Sequence, residues 1–269
     1  NNLLFSWAGP WSFEAFNSIL SNTSQPSNPM LLGMRAVIEP INNFQIEFVK
    51  TSQWGGAGYS SNITSLTSAI LGNTNSGNNS NINQVAGFGF SYKPNLDIIL
   101  PRIYGQIIGE DEAGNLPSCL IKLYGIDYEI PYLESPTKIY LEYVDTRIEF
   151  SKNKNCGPNT AYNNATYKYI NYNKSLGASI DTEGKSIIIG LETNIQKNID
   201  INYSISSLVI NDNNWLDHRL SSSRQQGWLT TIGVSKNFKS FNINGSINYQ
   251  SFTLDKESIK KGMRVHLST

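Results

Sequence analysis

Phe241-Asn242-Ile243-Asn244-Gly245-Ser246-Ile247-Asn248-Tyr249 is the stretch whose reading settles the fold class. On an extended chain Phe241, Ile243, Ile247 and Tyr249 point one way, and Asn242, Asn244, Ser246 and Asn248 point the other. The same period of two returns elsewhere. Ile199, Ile201, Tyr203 and Ile205 alternate with Asp200, Asn202, Ser204 and Ser206, and Phe44, Ile46 and Phe48 with Gln45 and Glu47. Leu32, Met34, Ala36 and Ile38 stand against Gly33, Arg35 and Glu39, and Met263, Val265 and Leu267 against Arg264, His266 and Ser268. Strands are predicted near 12–20, 30–39, 43–52, 83–93, 96–109, 118–130, 137–150, 180–194, 199–210, 226–236, 240–252 and 262–269.

A soluble sandwich alternates in the same way. Two features favour a transmembrane antiparallel β-barrel instead. The segments approach the ~10 residues that a tilted strand needs to cross a bilayer. The links also alternate: those at 40–42, 94–95, 131–136, 194–198 and 237–239 are short, whereas those at 21–29, 53–82, 110–117, 151–179, 211–225 and 254–261 are mostly long. Bacterial outer-membrane barrels have short periplasmic turns and long outer loops.

Three places stand outside the pattern. In Asn62 to Leu71 the residues Ile63, Leu66, Ile70 and Leu71 have helical spacing, and Gly72 is a C-cap signal, so a short helix is predicted inside the longest outer loop. Residues 151–179 are rich in Asn and Tyr and have no usable period. Pro101 removes a ladder donor, which predicts a bulge or a later strand start.

Composition sets limits on function. The 269 residues carry 21 basic and 21 acidic side chains. Zero net charge and the lack of a basic stripe give no general attraction to nucleic acid. Charged residues are 16%, against about 25% in ordinary soluble domains. No run of ~18 apolar residues is present, so no transmembrane helix is predicted. With neither an initiator Met nor a signal peptide, the chain reads as a mature product or a fragment. Cys119 and Cys156 lack metal-type spacing; in an oxidising compartment they could pair, but neither sits in a recognisable disulfide framework and unpaired thiols are the expectation. The abundance of Asn fits biased base composition and selection for sugar-facing loops equally well.

Tyr104-Gly105-Gln106-Ile107-Ile108-Gly109-Glu110-Asp111-Glu112-Ala113-Gly114-Asn115-Leu116-Pro117-Ser118 reads as a hairpin with three acids at a solvated tip. This stretch takes its place in a series: Gly9-Pro10-Trp11-Ser12, Leu32-Gly33-Met34-Arg35, Thr51-Ser52-Gln53-Trp54-Gly55-Gly56, Gln84-Val85-Ala86-Gly87-Phe88, and Glu142-Tyr143-Val144-Asp145-Thr146. In this order the series resembles the Wzi family of capsule assembly proteins, as does Ser175-Leu176-Gly177-Ala178-Ser179-Ile180-Asp181, with coverage from about residue 9 to about 195. The resemblance implies an outer-membrane barrel of about eighteen strands that binds capsular polysaccharide, a lectin rather than an enzyme, with a helical bundle toward the periplasm. Twelve strands then correspond to the C-terminal part of a larger, single-chain barrel. The ending His266-Leu267-Ser268-Thr269 departs from the terminal aromatic residue usual in such barrels.

Sugar binding needs flat aromatic faces together with amides, carboxylates and Arg. The candidate residues are Trp54, Tyr59, Glu110, Asp111, Glu112, Tyr162, Tyr167, Trp215, Arg219 and Arg224. Tyr169 belongs to the same outer-loop mixture. Tyr143, Tyr203, Tyr249 and Trp228 read instead as an interfacial girdle. The acidic triplet is either a solvated turn, a cation ligand set, or a partner for Arg35, Arg102 or Arg219; Glu142 is expected to pair with an inward Arg. No motif calls for a cofactor or a resident metal. The expected partners are capsular or extracellular polysaccharide and outer-membrane lipid. Two rivals remain: a porin with a polar lumen (Arg35, Glu47, Asp200, Asn242, Asn244, Arg264), and a hydrolase using His218 beside Ser221, Ser222 and Ser223.

Overall fold

The computed structural model describes residues 9–72, 82–94, 100–113, 116–130, 135–150, 156–195, 199–238 and 241–268, with backbone only at 111–113 and 116. Among the described residues fourteen strands and one helix follow in the order β1 (Trp11–Ile19), β2 (Met30–Ile41), β3 (Phe44–Trp54), α1 (Ile63–Leu71), β4 (Asn83–Tyr92), β5 (Arg102–Ala113), β6 (Leu116–Ile130), β7 (Thr137–Asp145), β8 (Ile170–Asn171), β9 (Lys174–Ser175), β10 (Lys185–Ile195), β11 (Ile199–Ile210), β12 (Gln225–Asn237), β13 (Asn242–Gln250) and β14 (Gly262–Ser268). Each predicted strand has its counterpart. Strands β1 to β7 and β10 to β14 form a twelve-stranded sheet in chain order, and β8 pairs with β9 alone. In that order β1 and β14 have one neighbour each, so the sheet is open. A closed barrel needs its last strand to pair with its first.

Strand ends differ from expectation for local reasons. β5 begins at Arg102, directly after Pro101, whose ring nitrogen has no hydrogen to give a ladder. It continues to Ala113, so the acids at 110–112 lie in the strand and only Gly114 and Asn115 separate β5 from β6. This link, expected among the long ones, is among the shortest. β7 stops at Asp145 because buried Thr146 turns aside and its hydroxyl donates to the carbonyl of Asp181. β10 starts at Lys185 rather than near 180 because Asp181 and Glu183 both adopt left-handed backbone, with φ of 62° and 49°.

Contacts divide the chain into two compact units. The first comprises Asn1–Tyr92, Gly105–Lys122 and Thr146–Glu183; the second comprises Lys93–Tyr104, Leu123–Asp145 and Gly184–Thr269.

In the first unit the two faces of β3 and β4 have opposite character. One face carries Phe44 beside Tyr92, Ile46 beside Phe90 and Phe48 beside Phe88. The ring centroids of Phe48 and Phe88 are 5.4 Å apart, and both side chains are exposed. The other face is polar and includes Glu47, which pairs with Arg35 of β2. Arg35 also meets Glu14 of β1 at 3.8 Å.

The second unit repeats this division. Ile187, Ile189, Trp228, Ile232, Val234, Ile247, Tyr249, Met263, Val265 and Leu267 are all exposed. The alternate positions carry polar cross-strand pairs: Lys138 with Glu192 at 2.7 Å, Asn194 with Asp200 at 2.6 Å, Ser235 with Asn244 at 2.7 Å and Thr231 with Asn248 at 2.8 Å. The first three of these pairs help line a cavity of about 950 Å³ at the short-link ends of β7 and β10 to β14, which His266 also lines. Arg102 grips Asp127. Glu142 accepts from the Tyr104 hydroxyl at 2.6 Å, so its partner is a tyrosine rather than the arginine expected.

Candidate functional site

At the long-link ends of the strands the backbone is held by side chains, and that scaffold determines which candidates face solvent. In the first unit residues 156–183 cross the polar face of the strand ends. Cys156 is bonded to Cys119 of β6, with Cα atoms 5.2 Å apart. The two cysteines are therefore paired, contrary to expectation. Around the bond, Leu20, Leu31, Val85, Ile121, Ile148, Ala161, Tyr162 and Tyr169 form one buried apolar cluster.

Hydrogen bonds fasten the rest of this strap. Gln53 Nε2 donates to the Lys168 carbonyl at 3.0 Å, and Asn83 Nδ2 to the Tyr167 carbonyl at 3.2 Å and to Gln53 Oε1 at 3.1 Å. The Tyr167 hydroxyl donates to the Gly55 carbonyl at 2.9 Å, and Thr51 and Tyr169 share a hydroxyl contact of 2.8 Å. Ser24 Oγ reaches the Ile170 carbonyl at 3.0 Å. Burial pushes the Tyr162, Tyr167 and Tyr169 phenols above their ordinary range, so they stay neutral hydrogen-bonding groups.

Several sequence candidates are thereby removed from the ligand surface. Tyr162 is 4% exposed and Tyr167 is fully buried. Tyr59 is half-buried and leans on Tyr167, with centroids 5.5 Å apart. Glu110 is not part of a free acidic tip: its carboxylate accepts the backbone N–H of Tyr162 and thus holds the strap. The side chains of Asp111 and Glu112 lie outside the described residues, and with them the cation-binding reading.

Trp54 is 3% exposed and lies on the opposite face of β3, where it packs with Leu32 and with Ala69 of α1. Gly55 and Gly56 follow with φ of 64° and 89°. Their left-handed backbone serves the turn from β3 toward α1, and a Cβ on Gly56 would meet Pro29 and Ser27 backbone at 3.0 Å. The glycines therefore reflect chain reversal rather than ligand approach. α1 itself forms as predicted. Asn62 Oδ1 accepts the Ser65 N–H at 2.9 Å as N-cap, and Gly72 closes the helix in left-handed conformation.

Among the described residues of these loops, Tyr172 and Trp215 are accessible rings, one in each unit. In the first unit Tyr172 is 73% exposed at the tip of the β8–β9 hairpin. Tyr172 and Asn173 there have φ of 48° and 61°, the geometry of a tight two-residue hairpin turn. Tyr172 was not singled out from the sequence; the Asn171-Tyr172-Asn173 run was its only signal.

In the second unit the loop 211–224 presents half-buried Trp215 beside exposed Leu216. Buried Asn211 braces this loop. Its Oδ1 accepts the Trp215 N–H at 2.7 Å, and its Nδ2 donates to the carbonyls of Trp215 and Ser221 at 2.8 and 2.9 Å. Arg224 pairs with Asp212 at 2.7 Å, and Arg219 is partly exposed.

His218 is fully buried beneath the same loop, and its Nδ1 accepts the N–H groups of Leu220 (3.1 Å) and Ser221 (3.4 Å). Ser221 Oγ donates to the Ser223 carbonyl at 2.8 Å and Ser222 Oγ to Asp255 at 2.6 Å. These groups brace a loop, which is not the nucleophile–base geometry of the hydrolase reading.

Asp255 belongs to a tight turn in which Leu254 and Ile259 exchange backbone hydrogen bonds of 2.7 and 3.0 Å. Hydrogen bonds from Ser222 and then Ser221 lower its carboxyl pKa to about 2. A carboxyl depressed in the folded state stabilises it above its unfolded pKa, roughly 3.9, and that stabilisation is lost as pH falls toward the folded value. The clasp between 211–224 and 251–261 is therefore expected to hold above pH ~4 and to weaken between ~4 and ~2. Pepsin cleavage in these loops, normalised to a peptide substrate, should rise over that window in the parent. Asp255→Asn should cleave readily throughout; a parent profile flat from pH 4 to 2 would contradict the assignment.

An antiparallel sheet with one apolar and one polar face, long ordered loops at one end and short links at the other is the architecture of an outer-membrane β-barrel protein. The chain belongs to the capsule assembly protein Wzi family, whose model matches residues 1–261. A solved structure of Wzi from Escherichia coli is described as an outer membrane protein involved in group 1 capsule assembly and as a carbohydrate-binding β-barrel. The fold superposes on it with a TM-score of 0.73 at 24% identity, covering 100% of this chain and 54% of that one. An uncharacterized 55.8 kDa protein in the cps region of Klebsiella pneumoniae is 31% identical over 147 residues, 54% of this chain and 29% of the relative. The chain thus spans about half the solved structure it matches.

Proposed function

We propose that this chain is the C-terminal part of an outer-membrane barrel that binds capsular or extracellular polysaccharide at the cell surface without chemical conversion. The observation that carries this reading is the loop 211–224, where Asn211 fixes the backbone on both sides of Trp215, which stays partly exposed. A fixed aromatic face binds a sugar ring through its C–H surface at little entropic cost, and nearby Arg219, Arg224 and Asn side chains offer hydrogen bonds to hydroxyls. Tyr172 offers a second platform. Two observations support the barrel as part of a larger one. β1 and β14 leave open sheet edges, which do not persist in lipid, and the solved relative is about twice as long. The exposed apolar faces of β3–β4 and β10–β14 support the membrane location.

Trp215→Ala is expected to weaken binding of purified cell-surface polysaccharide about tenfold, and Tyr172→Ala by a smaller factor, with the unfolding midpoint unchanged. Full affinity in the double variant would sink the proposal. The polar cavity of about 950 Å³ in the second unit keeps a porin reading in view. Planar-bilayer conductance decides it: sustained current through the reconstituted full-length protein would favour a channel.

A further inference from the structure

Helix α1 packs on the face of β3 and β4 opposite to the strap, and this is the apolar face. Ser52 Oγ donates to the Ala69 carbonyl at 3.0 Å, and Ala69 packs with Leu32 and Trp54. Strap contacts fall on the alternate residues Thr51, Gln53 and Asn83. Along this apolar face the order toward the long-link end is Phe44 beside Tyr92, Ile46 beside Phe90, Phe48 beside Phe88, then Lys50 beside Ala86, where the helix begins to cover the strands. At a strand rise of ~3.3 Å per residue, Lys50 lies about 7 Å beyond the last aromatic pair.

The outer side of the helix is unusual. Its nine residues, Ile-Thr-Ser-Leu-Thr-Ser-Ala-Ile-Leu, carry no charge. Only Ser68 and Ala69 are buried, while Ile63 is 73% exposed, Leu71 79% and Ile70 41%. Lys50 extends along this surface and donates from Nζ to the Ile70 carbonyl at 3.0 Å, which places its ammonium at the helix C-terminus. A lysine stem on an apolar face with its head at a polar edge is the arrangement found where hydrocarbon gives way to headgroups.

We propose that α1 is an interfacial helix, lying along the outside of the barrel wall with Ile63, Ile70 and Leu71 in the acyl region of the outer leaflet. The occupant of its exposed apolar side is lipid acyl chain, because that side continues the aromatic face of β3 and β4 and the helix itself carries no charge. The inference rests on the outer-membrane reading proposed above. It gives the β3–β4 loop a role separate from glycan contact: the loop turns outward to grip the membrane, while the strap covers the opposite face.

The test uses nitroxide labels on the full-length protein in lipid vesicles. Ile63→Cys and Leu71→Cys probe the helix, Phe88→Cys the strand face, and Lys256→Cys an exposed loop; the native cysteines are already paired. The ratio of collision with oxygen to collision with a water-soluble nickel chelate is expected to be several-fold higher at 63 and 71 than at 256, approaching the value at 88. If 88 reports lipid but 63 and 71 match 256, the helix proposal is overturned and the membrane reading stands. If 88 also matches 256, both fall. Shielding of 63 and 71 from both reagents would indicate a protein partner on this surface and would overturn the lipid assignment.

Discussion

Replacing Cys119 and Cys156 together by serine is expected to lower the stability of the first unit by about 4 kcal/mol. The bond closes a chain segment of 37 residues, and chain-entropy scaling for loops of this size gives roughly that figure. The loss should be concentrated in residues 156–183, where the bond, the apolar cluster around it and the hydrogen bonds from Ser24, Gln53 and Asn83 act on the same segment. Chemical unfolding in detergent measures it. The reduced parent should unfold with the double variant, at a lower denaturant concentration than the oxidised parent. Coincident curves for the oxidised parent and the variant would show that the strap is held without the bond.

Trp54 is the second large effect. Trp54→Ala is expected to cost ~3–5 kcal/mol, the range for truncating a buried aromatic ring, because α1 would lose the surface it packs against. Trp54→Phe should cost much less. The indole N–H is buried without a hydrogen-bond partner among the described residues, so phenylalanine removes an unsatisfied donor while keeping most of the ring contact. Neither change should alter polysaccharide affinity in protein that remains folded. A tryptophan serving as a sugar platform would behave in the opposite way: binding would fall in both variants and stability would hold.

Most of the sheet was legible because a strand with one polar and one apolar face writes its period into the chain. The run Phe241 to Tyr249 shows this, and Phe241, Ile247 and Tyr249 do lie on the exposed apolar face. The helix was legible because Ile63, Leu66, Ile70 and Leu71 keep helical spacing and Gly72 supplies the C-cap. The candidate site was read less well, for a physical reason. Tyr and Trp at strand ends serve equally as sugar platforms, as membrane girdle or as the core beneath an ordered loop, and composition does not separate these uses. Tyr162 and Tyr167 belong to the last group because residues 156–183 fold onto Leu31, Gln53, Asn83 and Val85, a long-range contact that no local period encodes. The Cys119–Cys156 bond was hidden for the same reason. The acids at 110–112 looked like a free tip because mutual repulsion argues for solvent, yet Glu110 is occupied by the N–H of Tyr162.

The open edges of the sheet bear on the order of events during folding. β1 carries exposed Trp11, Phe13 and Phe16 and has a neighbour on one side only; β14 has the same arrangement with Met263, Val265 and Leu267. In water such edges recruit other strands, and in hydrocarbon each unpaired backbone group costs several kcal/mol. On the membrane reading proposed above, insertion of this sheet is inseparable from pairing both edges. On the barrel reading proposed above, those two strands have to be kept apart from other chains until a ring forms.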